Sequence, residues 1–387
     1  MIGIDDLALA TGAYRIDLAA VAERLGTDPA KYYKGLGQTE MSVIAEDEDI
    51  VTLGAAAALP VLERAGRDQI RTVLFATETG IDQSKAAGVY AHRLLGLSPN
   101  VRVVELKQAC YSGTAALQFA AALVARNPAE KVLVIASDVA RYELGSSAEP
   151  TQGAGAAAFT VSADPALLAL EPAAGLFTAD VMDFWRPNHR VTAIVDGQSS
   201  ITAYLEAIGG AFTDYRAQGG ADFAAIDRFC YHQPFTKMAS KAHRYLAQRA
   251  GSTLDAAALA AQVDPTMAYN RRIGNSYTAS VYLALLALLD GEADLTGERV
   301  AIASYGSGAV AEFLTGTVVE GYREGLRTAT NEQILADRPQ ISDDTYLARQ
   351  RTMPRTDPSD YTNRHETRAP FRFAGVREDQ RIYEPTS

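Results

Sequence analysis

The stretch Glu105-Leu106-Lys107-Gln108-Ala109-Cys110-Tyr111-Ser112-Gly113-Thr114-Ala115-Ala116 decides how the rest of the chain is read. Just before and within it, Val101, Val103, Val104 and Leu106 form an apolar run that reads as a strand. A tight turn follows, and Cys110 opens a predicted helix running to about Arg126. That helix is small or apolar on every side (Leu117, Phe119, Ala120, Leu123, Val124), so it is expected to be enclosed by protein all round. A thiol in a helix's first turn lies near unpaired backbone N–H groups, whose partial positive charge favours thiolate. Cys110 is then either an inert core cysteine, the common fate of a free cysteine, or a nucleophile. Strand, turn and apolar helix together favour the nucleophile.

Composition narrows the classes. The 387 residues are 48% hydrophobic and 21% charged, a length that suggests two domains or one large duplicated one. Cys110 and Cys230, the only cysteines, give no disulfide framework and point to a reducing cytoplasm. Met1 to Ala10 carries Asp5 and Asp6 and no basic residue, so it does not read as a signal peptide. The apolar run Val281 to Leu289 is too short to span a bilayer and reads as buried core. A net charge of −11 argues against nonspecific nucleic-acid or membrane binding, so an anionic ligand would need a local basic patch. Two cysteines so far apart make no recognisable metal-ligand set.

The order of elements occurs twice. A helix (about Asp49 to Ala65) leads to a strand from Arg71 to Thr77, a helix (about Gln83 to Leu95), the strand before Cys110 and the apolar helix. Strands Lys131 to Ala136 and Ala156 to Val161 close the first half. In the second half a helix (about Ser200 to Gln218) leads to a short strand ending at His232, then a helix near Lys237 to Ala250. A second helix without a polar side, Asn275 to Leu289, precedes strands Arg299 to Ser304 and Ala309 to Thr317, joined by Tyr305-Gly306-Ser307-Gly308. Alternating strands and helices predict α/β architecture with largely parallel sheets. Two enclosed helices need a sheet on each side, which implies five layers, α-β-α-β-α. Glu78 and His232 each follow a strand, and Cys110 and Asn275 each start a central helix; a pseudo-twofold axis would bring all four together.

At these residues the chain resembles the hydroxymethylglutaryl-CoA synthases of the thiolase-like fold. The resemblance rests on Gly35 to Met41 (GLGQTEM), Ala76 to Thr79 (ATET), Lys107 to Tyr111 (KQACY), Glu149 to Gly155 (EPTQGAG) and Asp183 to Pro187 (DFWRP). His232 to Met238 (HQPFTKM), Gly274 to Thr278 (GNSYT) and Ser304 to Gly308 (SYGSG) complete it, in family order over about Ile2 to Tyr322. The bacterial mevalonate-pathway enzymes are the nearest likeness. The resemblance implies residues 1–165 as a Glu/Cys half, 166–330 as a His/Asn half with CoA contacts, and 331–387 as an extension. It implies acetyl-CoA and acetoacetyl-CoA as substrates, HMG-CoA and CoA as products, no cofactor, and a homodimer.

Each residue found suits a step of that reaction. Cys110 would take the acetyl group. The N–H of Cys110 and one from the Gly306-Ser307 loop are candidates to hold the thioester oxygen. Glu78, beside Phe75-Ala76-Thr77, would remove a methyl proton, helped by a pKa raised through burial; the alternative is a solvated loop glutamate. His232 would polarise the ketone and protonate the alkoxide, with Asn275 as a second contact. Of the other histidines, His243 and His365 read as surface residues. Lys237 and Lys241 share a predicted helix face with His243 and Arg244 close by, either a solvated charge run or a landing site for CoA phosphates, which is favoured. By resemblance Tyr142, Thr151, Ser200 and Ser307 also line the substrate site, and Asp28-Pro29 lies near the CoA entrance. Trp185 suits a core role as well as a ligand contact.

From about Thr328 the chain is rich in Asp, Arg, Thr and Pro and is expected to be mostly loop, with its last apolar cluster (Phe371, Phe373, Val376, Ile382, Tyr383) docking on the body or across a dimer interface. Three rivals use the same fold. A β-branching synthase of polyketide assembly lines would act on acyl-carrier protein. A chain-initiating ketoacyl synthase is disfavoured by Glu78, and a catalytically silent scaffold by the presence of all three reactive residues.

Overall fold

Nine strands hydrogen-bond into one continuous sheet in the computed structural model, which describes residues 1–355 and 359–386. The first half supplies β1 (Gly3–Thr11), β2 (Ile70–Ala76), β3 (Arg102–Leu106), β4 (Lys131–Val139) and β5 (Ala154–Ser162). The second supplies β6 (Leu168–Thr178), β7 (Arg228–Tyr231), β8 (Arg299–Gly306) and β9 (Val310–Val318). Their order is β7-β8-β9-β6-β1-β5-β4-β2-β3. β2 runs parallel to β3 and β4, and β7 to β8, but the remaining pairs are antiparallel. The sheet is therefore mixed and not largely parallel. The turns from β4 to β5 and from β8 to β9 contain no crossover helix, and only a crossover lets successive strands run parallel.

The five main helices are α1 (Ile50–Ala65), α2 (Ser112–Arg126), α3 (Gly197–Ala217), α4 (Met238–Arg249) and α5 (Ser280–Leu289). Asp49 caps α1 by accepting from Val51 N and Thr52 N, while the Thr52 hydroxyl accepts from Asp49 N. Successive strand residues point to opposite faces, so each strand feeds two cores. In β2, Val73 and Phe75 pack with α1, whereas Leu74 and Ala76 face inward. In β8, Ala301 and Ala303 pack with α3 and α4, whereas Val300 and Ile302 face inward. Both inward faces meet the same residues of α2 and α5, which gives the α-β-α-β-α layering of the thiolase-like fold. The halves touch in the sheet through only two pairs, Gly3 with Ala169 and Ile4 with Leu168.

The two central helices are not equivalent. Every residue of α5 is buried. In α2, Ala116, Leu117, Ala120 and Val124 face inward, but Phe119 is 53% exposed, contrary to the expected all-round enclosure. α2 lies against β2, β3, β4 and β5, and β3 is the last strand of the sheet, so the side of the helix that bears Phe119 is left open among the described residues.

The segment expected to be loop is ordered. It forms α6 (Thr328–Ala336), α7 (Asp343–Thr352) and a three-stranded sheet of β10 (Tyr361–Thr362), β11 (Phe371–Arg377) and β12 (Gln380–Pro385). Its apolar residues are too few to form a core alone, so Phe371, Phe373 and Tyr383 join the core around α1. Buried charges anchor it: Arg327 reaches Asp6 through two hydrogen bonds of 2.6 and 2.7 Å, and Asp47 accepts from Glu366 N and Thr367 N. Sequence reading missed β1 and β6, and it placed a helix over Gln83 to Leu95 that spans Ala87–Leu94.

α3 crosses β6 so closely that a Cβ on Gly175 would lie 2.0 Å from Tyr215 N and 2.1 Å from Ala211 O. Both are helix backbone atoms that cannot move aside singly. Gly175→Ala is expected to cost about 1–3 kcal/mol by overpacking, read as a lower Tm in thermal unfolding.

Candidate active site

The turn that carries Cys110 is tighter than a helix start. Ala109 adopts φ of 45°, Tyr111 caps the helix, and α2 begins at Ser112. A non-glycine residue at positive φ is strained, and such strain persists only where surrounding contacts over-determine it. Here the Ser112 hydroxyl accepts from Gln108 N at 2.6 Å and donates to Ala109 O at 2.8 Å. β8 passes beneath with Gly306, where a Cβ would lie 2.5 Å from Gln108 O and 2.7 Å from Tyr111 N. The elbow thus aims Cys110 into a cavity between the halves.

Cys110 Sγ donates to Glu78 Oε2 at 3.1 Å. Burial, then the Glu78 charge, hold the Cys110 thiol well above its usual pKa. This overturns the expected helix-stabilised thiolate: Cys110 precedes the helix, and its nearest charged neighbour is a carboxylate. Burial and then Asp138 push Glu78 up to about 8. Loss of one proton from the pair leaves a single negative charge shared across the contact.

Glu78 is held from behind by Asp138. This carboxylate accepts from the backbone N–H groups of Glu78, Thr79 and Thr278 at 2.8, 2.9 and 3.0 Å. The hydroxyls of Thr77, Thr79 and Thr278 add bonds of 2.8, 2.6 and 2.5 Å. Asp138 ends β4, Glu78 follows β2, and Thr278 lies in the turn before α5, so one side chain ties both halves together. Asp183 does a similar service opposite, accepting from the Tyr305 hydroxyl at 2.6 Å and Gly308 N at 2.9 Å.

His232 follows β7, its N–H bonded to Ala303 O at 3.0 Å and its carbonyl to the Tyr204 hydroxyl at 2.8 Å. Burial pushes its pKa down to about 3, so the imidazole is neutral at physiological pH. Asn275 does not start a helix. It sits two residues before a single 3₁₀ turn (Tyr277–Ala279), its N–H on Thr151 O at 2.8 Å and its amide on the Tyr142 hydroxyl at 3.2 Å.

Cys110, Tyr142, Thr151, Ser200, His232, Asn275 and Ser307 line one cavity, whose remaining wall includes Phe184, Tyr204, Phe235 and Leu36. Glu78 reaches it only through Cys110. Lys237, Lys241, Asp28 and Pro29 lie outside that lining; of the four, Lys237 adjoins Met238 and Lys241 adjoins Phe235, both in the cavity wall. The turn holding Asp28, which accepts from Ala30 N at 2.8 Å, leads into residues packed on the start of α4. Lys237 N–H bonds Leu36 O, and its Nζ donates to Lys34 O, both at 2.8 Å. Lys241 Nζ stands 5.0 Å from the centre of the Phe235 ring. His243 is no part of this patch: contrary to its surface reading it is buried beside Phe223 and Phe229, between the Tyr231 hydroxyl and Gln262, with burial pushing its pKa down to about 4. Among the described residues no cluster of His, Cys, Asp and Glu has the arrangement of a metal site, and no helix is long and apolar enough to cross a membrane.

Sequence reasoning missed Asp138 and Tyr204. Asp138 ends a run of apolar strand residues, where a charge needs compensation, and that position was the available signal. Nothing local marks Tyr204.

Two duplicated halves that lean a cysteine elbow against a carboxylate, with a neutral histidine across the cavity, make this chain a thiolase-like condensing enzyme acting on acyl-CoA. Family models agree: "Hydroxymethylglutaryl-coenzyme A synthase N terminal" matches residues 1–166 and the corresponding C-terminal model residues 247–366. A hydroxymethylglutaryl-CoA synthase of Enterococcus faecalis is 42% identical over 349 residues, covering 90% of this chain and 91% of the relative. The structure of MvaS in complex with 3-hydroxy-3-methylglutaryl coenzyme A superposes with a TM-score of 0.93 at 38% identity, covering 100% of this chain and 99% of that one. The polyketide 3-hydroxy-3-methylglutaryl-ACP synthase PksG of Bacillus subtilis is 33% identical over 365 residues, 89% of this chain and 86% of its own. The chain belongs to the hydroxymethylglutaryl-CoA synthase family.

A carboxyl whose pKa is raised on folding binds its proton more tightly in the folded state. The stability contribution of Glu78 is therefore largest below its unfolded value of 4.5 and is lost as pH rises toward about 8. Glu78→Gln is expected to raise Tm over wild type at pH 8.5, by more than it does at pH 5, in paired thermal melts at about those two pH values.

Proposed function

We propose that the chain condenses acetyl-CoA with acetoacetyl-CoA and releases HMG-CoA and CoA, supplying mevalonate in the cytoplasm. The observation that carries this is the 3.1 Å contact between Cys110 Sγ and Glu78. A nucleophile and a base in contact serve one acyl group, first to bind it and then to activate its methyl.

In the first step the shared anion attacks the acetyl thioester, the Cys110 S–C bond forms and CoA leaves with a proton. Glu78, now beside the acetyl group, removes a methyl proton; its raised pKa brings it nearer the working pH and makes it a stronger base than a solvated carboxylate. The carbanion attacks the ketone of acetoacetyl-CoA. Being neutral, His232 acts by offering a ring N–H to the ketone oxygen and the alkoxide that forms there, not as a cationic acid, and the alkoxide becomes a hydroxyl by taking up one proton, which balances the one Glu78 removed from the methyl group and releases. Water then cleaves the Cys110 thioester. Every step uses side chains and backbone of this chain, so no cofactor is needed.

Lys237 and Lys241 at the rim offer cations to the CoA phosphates of a protein that is otherwise acidic. Greater identity to the Enterococcus enzyme than to PksG favours free CoA over a carrier protein. A homodimer is supported by β3, an edge strand whose Val104 is 39% exposed, beside the exposed Phe119 of α2.

Glu78→Ala, which loses the partner that takes the thiol proton, is expected to acetylate on Cys110 more slowly and to fail to condense, and Cys110→Ser to do neither, by mass spectrometry after acetyl-CoA and then acetoacetyl-CoA. Normal condensation by Glu78→Ala would refute the base assignment. The double variant Lys237→Glu/Lys241→Glu should raise KM for acetyl-CoA about tenfold at low salt with kcat little changed. Strong preference for acetoacetyl-carrier protein over acetoacetyl-CoA would transfer the assignment to the polyketide branch.

A further inference from the structure

Behind the reactive centre lies a second chamber of roughly 290 Å³ that the reaction described above does not use. Glu78 lines this chamber, with Thr79 and Gly80, whereas Cys110 lines only the front cavity; Phe184 and Tyr277 wall both. Exposure agrees with this placement, because Glu78 is partly exposed while Cys110 is 6% exposed. The C-terminal segment contributes part of the wall, through Met353, Arg355, Tyr361, Asn363, Phe373 and Arg381. Carboxylates and guanidinium groups alternate around it, with Arg355 paired to Glu46 and Arg381 to Asp82, each at 3.1 Å. Such a lining is wettable and of mixed sign, suited to water and protons and not to one charged ligand. Val191, 49% exposed, and exposed Asp82 stand where the chamber meets solvent.

The chemistry needs such a route. A pantetheine arm seated in the front cavity shuts out the solvent that would reach the centre past Leu36 and Phe235. Yet Glu78 must still release the proton it takes from the methyl group, and the last step consumes one water. There a C–O bond forms at the thioester carbon and the bond to Cys110 Sγ breaks. One water proton passes to Glu78 and on to the departing sulfur, the other leaving with the carboxylic acid product. We propose that the rear chamber carries water and protons to Glu78 while substrate fills the front, and that the C-terminal segment helps to wall it. This rests on Glu78 being the base.

The test uses the full chain, acetylated on Cys110, in D2O with desulfo-CoA, which occupies the front cavity and cannot accept the acetyl group. Deuterium entering the acetyl methyl is followed by mass spectrometry of the Cys110 peptide. Wild type should exchange at nearly the same rate with and without desulfo-CoA. Val191→Trp, which narrows the mouth of the chamber, should acetylate fully but exchange about tenfold more slowly once desulfo-CoA is present. Ile81→Trp, at another wall position, should behave alike, and full acetylation of either variant shows that it is folded. Wild-type exchange rates in both variants under desulfo-CoA would overturn the chamber's role. Exchange that survives Glu78→Gln would instead overturn the base assignment, and the rear route with it.

Discussion

The buried carboxylate of Asp138 is the interaction on which the reactive centre depends. It gathers donors from the strand end before Glu78 and from the turn before α5, which belong to different halves of the duplicated fold. Without it the backbone N–H groups of Glu78 and Thr278 would lose the acceptor they have here, each a cost of about 1–3 kcal/mol. The same negative charge reaches Glu78 and helps keep its proton affinity high. Asp138 thus fixes the position of Glu78 and adds to the basicity that burial gives it. Asp183 repeats the device opposite, fixing the Tyr305–Gly308 loop.

Around these two anchors the three reactive side chains are nearly uncharged at rest. His232 is neutral, the Cys110 thiol keeps its proton, and Glu78 gives up its own only near the upper end of the physiological range. The protein holds its cations at the rim, on Lys237 and Lys241. Under the proposed reaction, charge that attracts CoA is thus kept apart from charge that develops during bond formation. Uncharged reactive groups leave few counter-charges to reorganise when the oxyanion appears, which is where preorganised donors contribute most.

Much of this was readable in the chain because apolar periodicity and turn residues are local signals. The α5 helix, the strand–elbow–helix at Cys110 and the strand ends before Glu78 and His232 all emerged from such patterns. What escaped was non-local. β1 and β6 carry Asp5, Asp6, Glu171 and Pro172, whose polarity masks the alternation; the two strands are recognisable as such only once paired. His243 sits in a basic stretch, and nothing near it in sequence reveals the aromatic residues that bury it. The C-terminal segment has a loop-like composition, but it folds by borrowing the core of α1. The thiolate expectation failed for a related reason: the helix was visible in the sequence, whereas the carboxylate 3.1 Å from the sulfur comes from 32 residues upstream.

Phe184 and Trp185 form a two-residue strand against Ile194 and Val195, beside the wall that separates the two chambers. The chain has no other tryptophan. Its indole is half-buried between Phe184, which walls both chambers, and Arg186, whose guanidinium donates to the Glu78 carbonyl. The protein therefore carries its single indole one residue from the partition, placed for its emission to change when the site fills, without any dye or label.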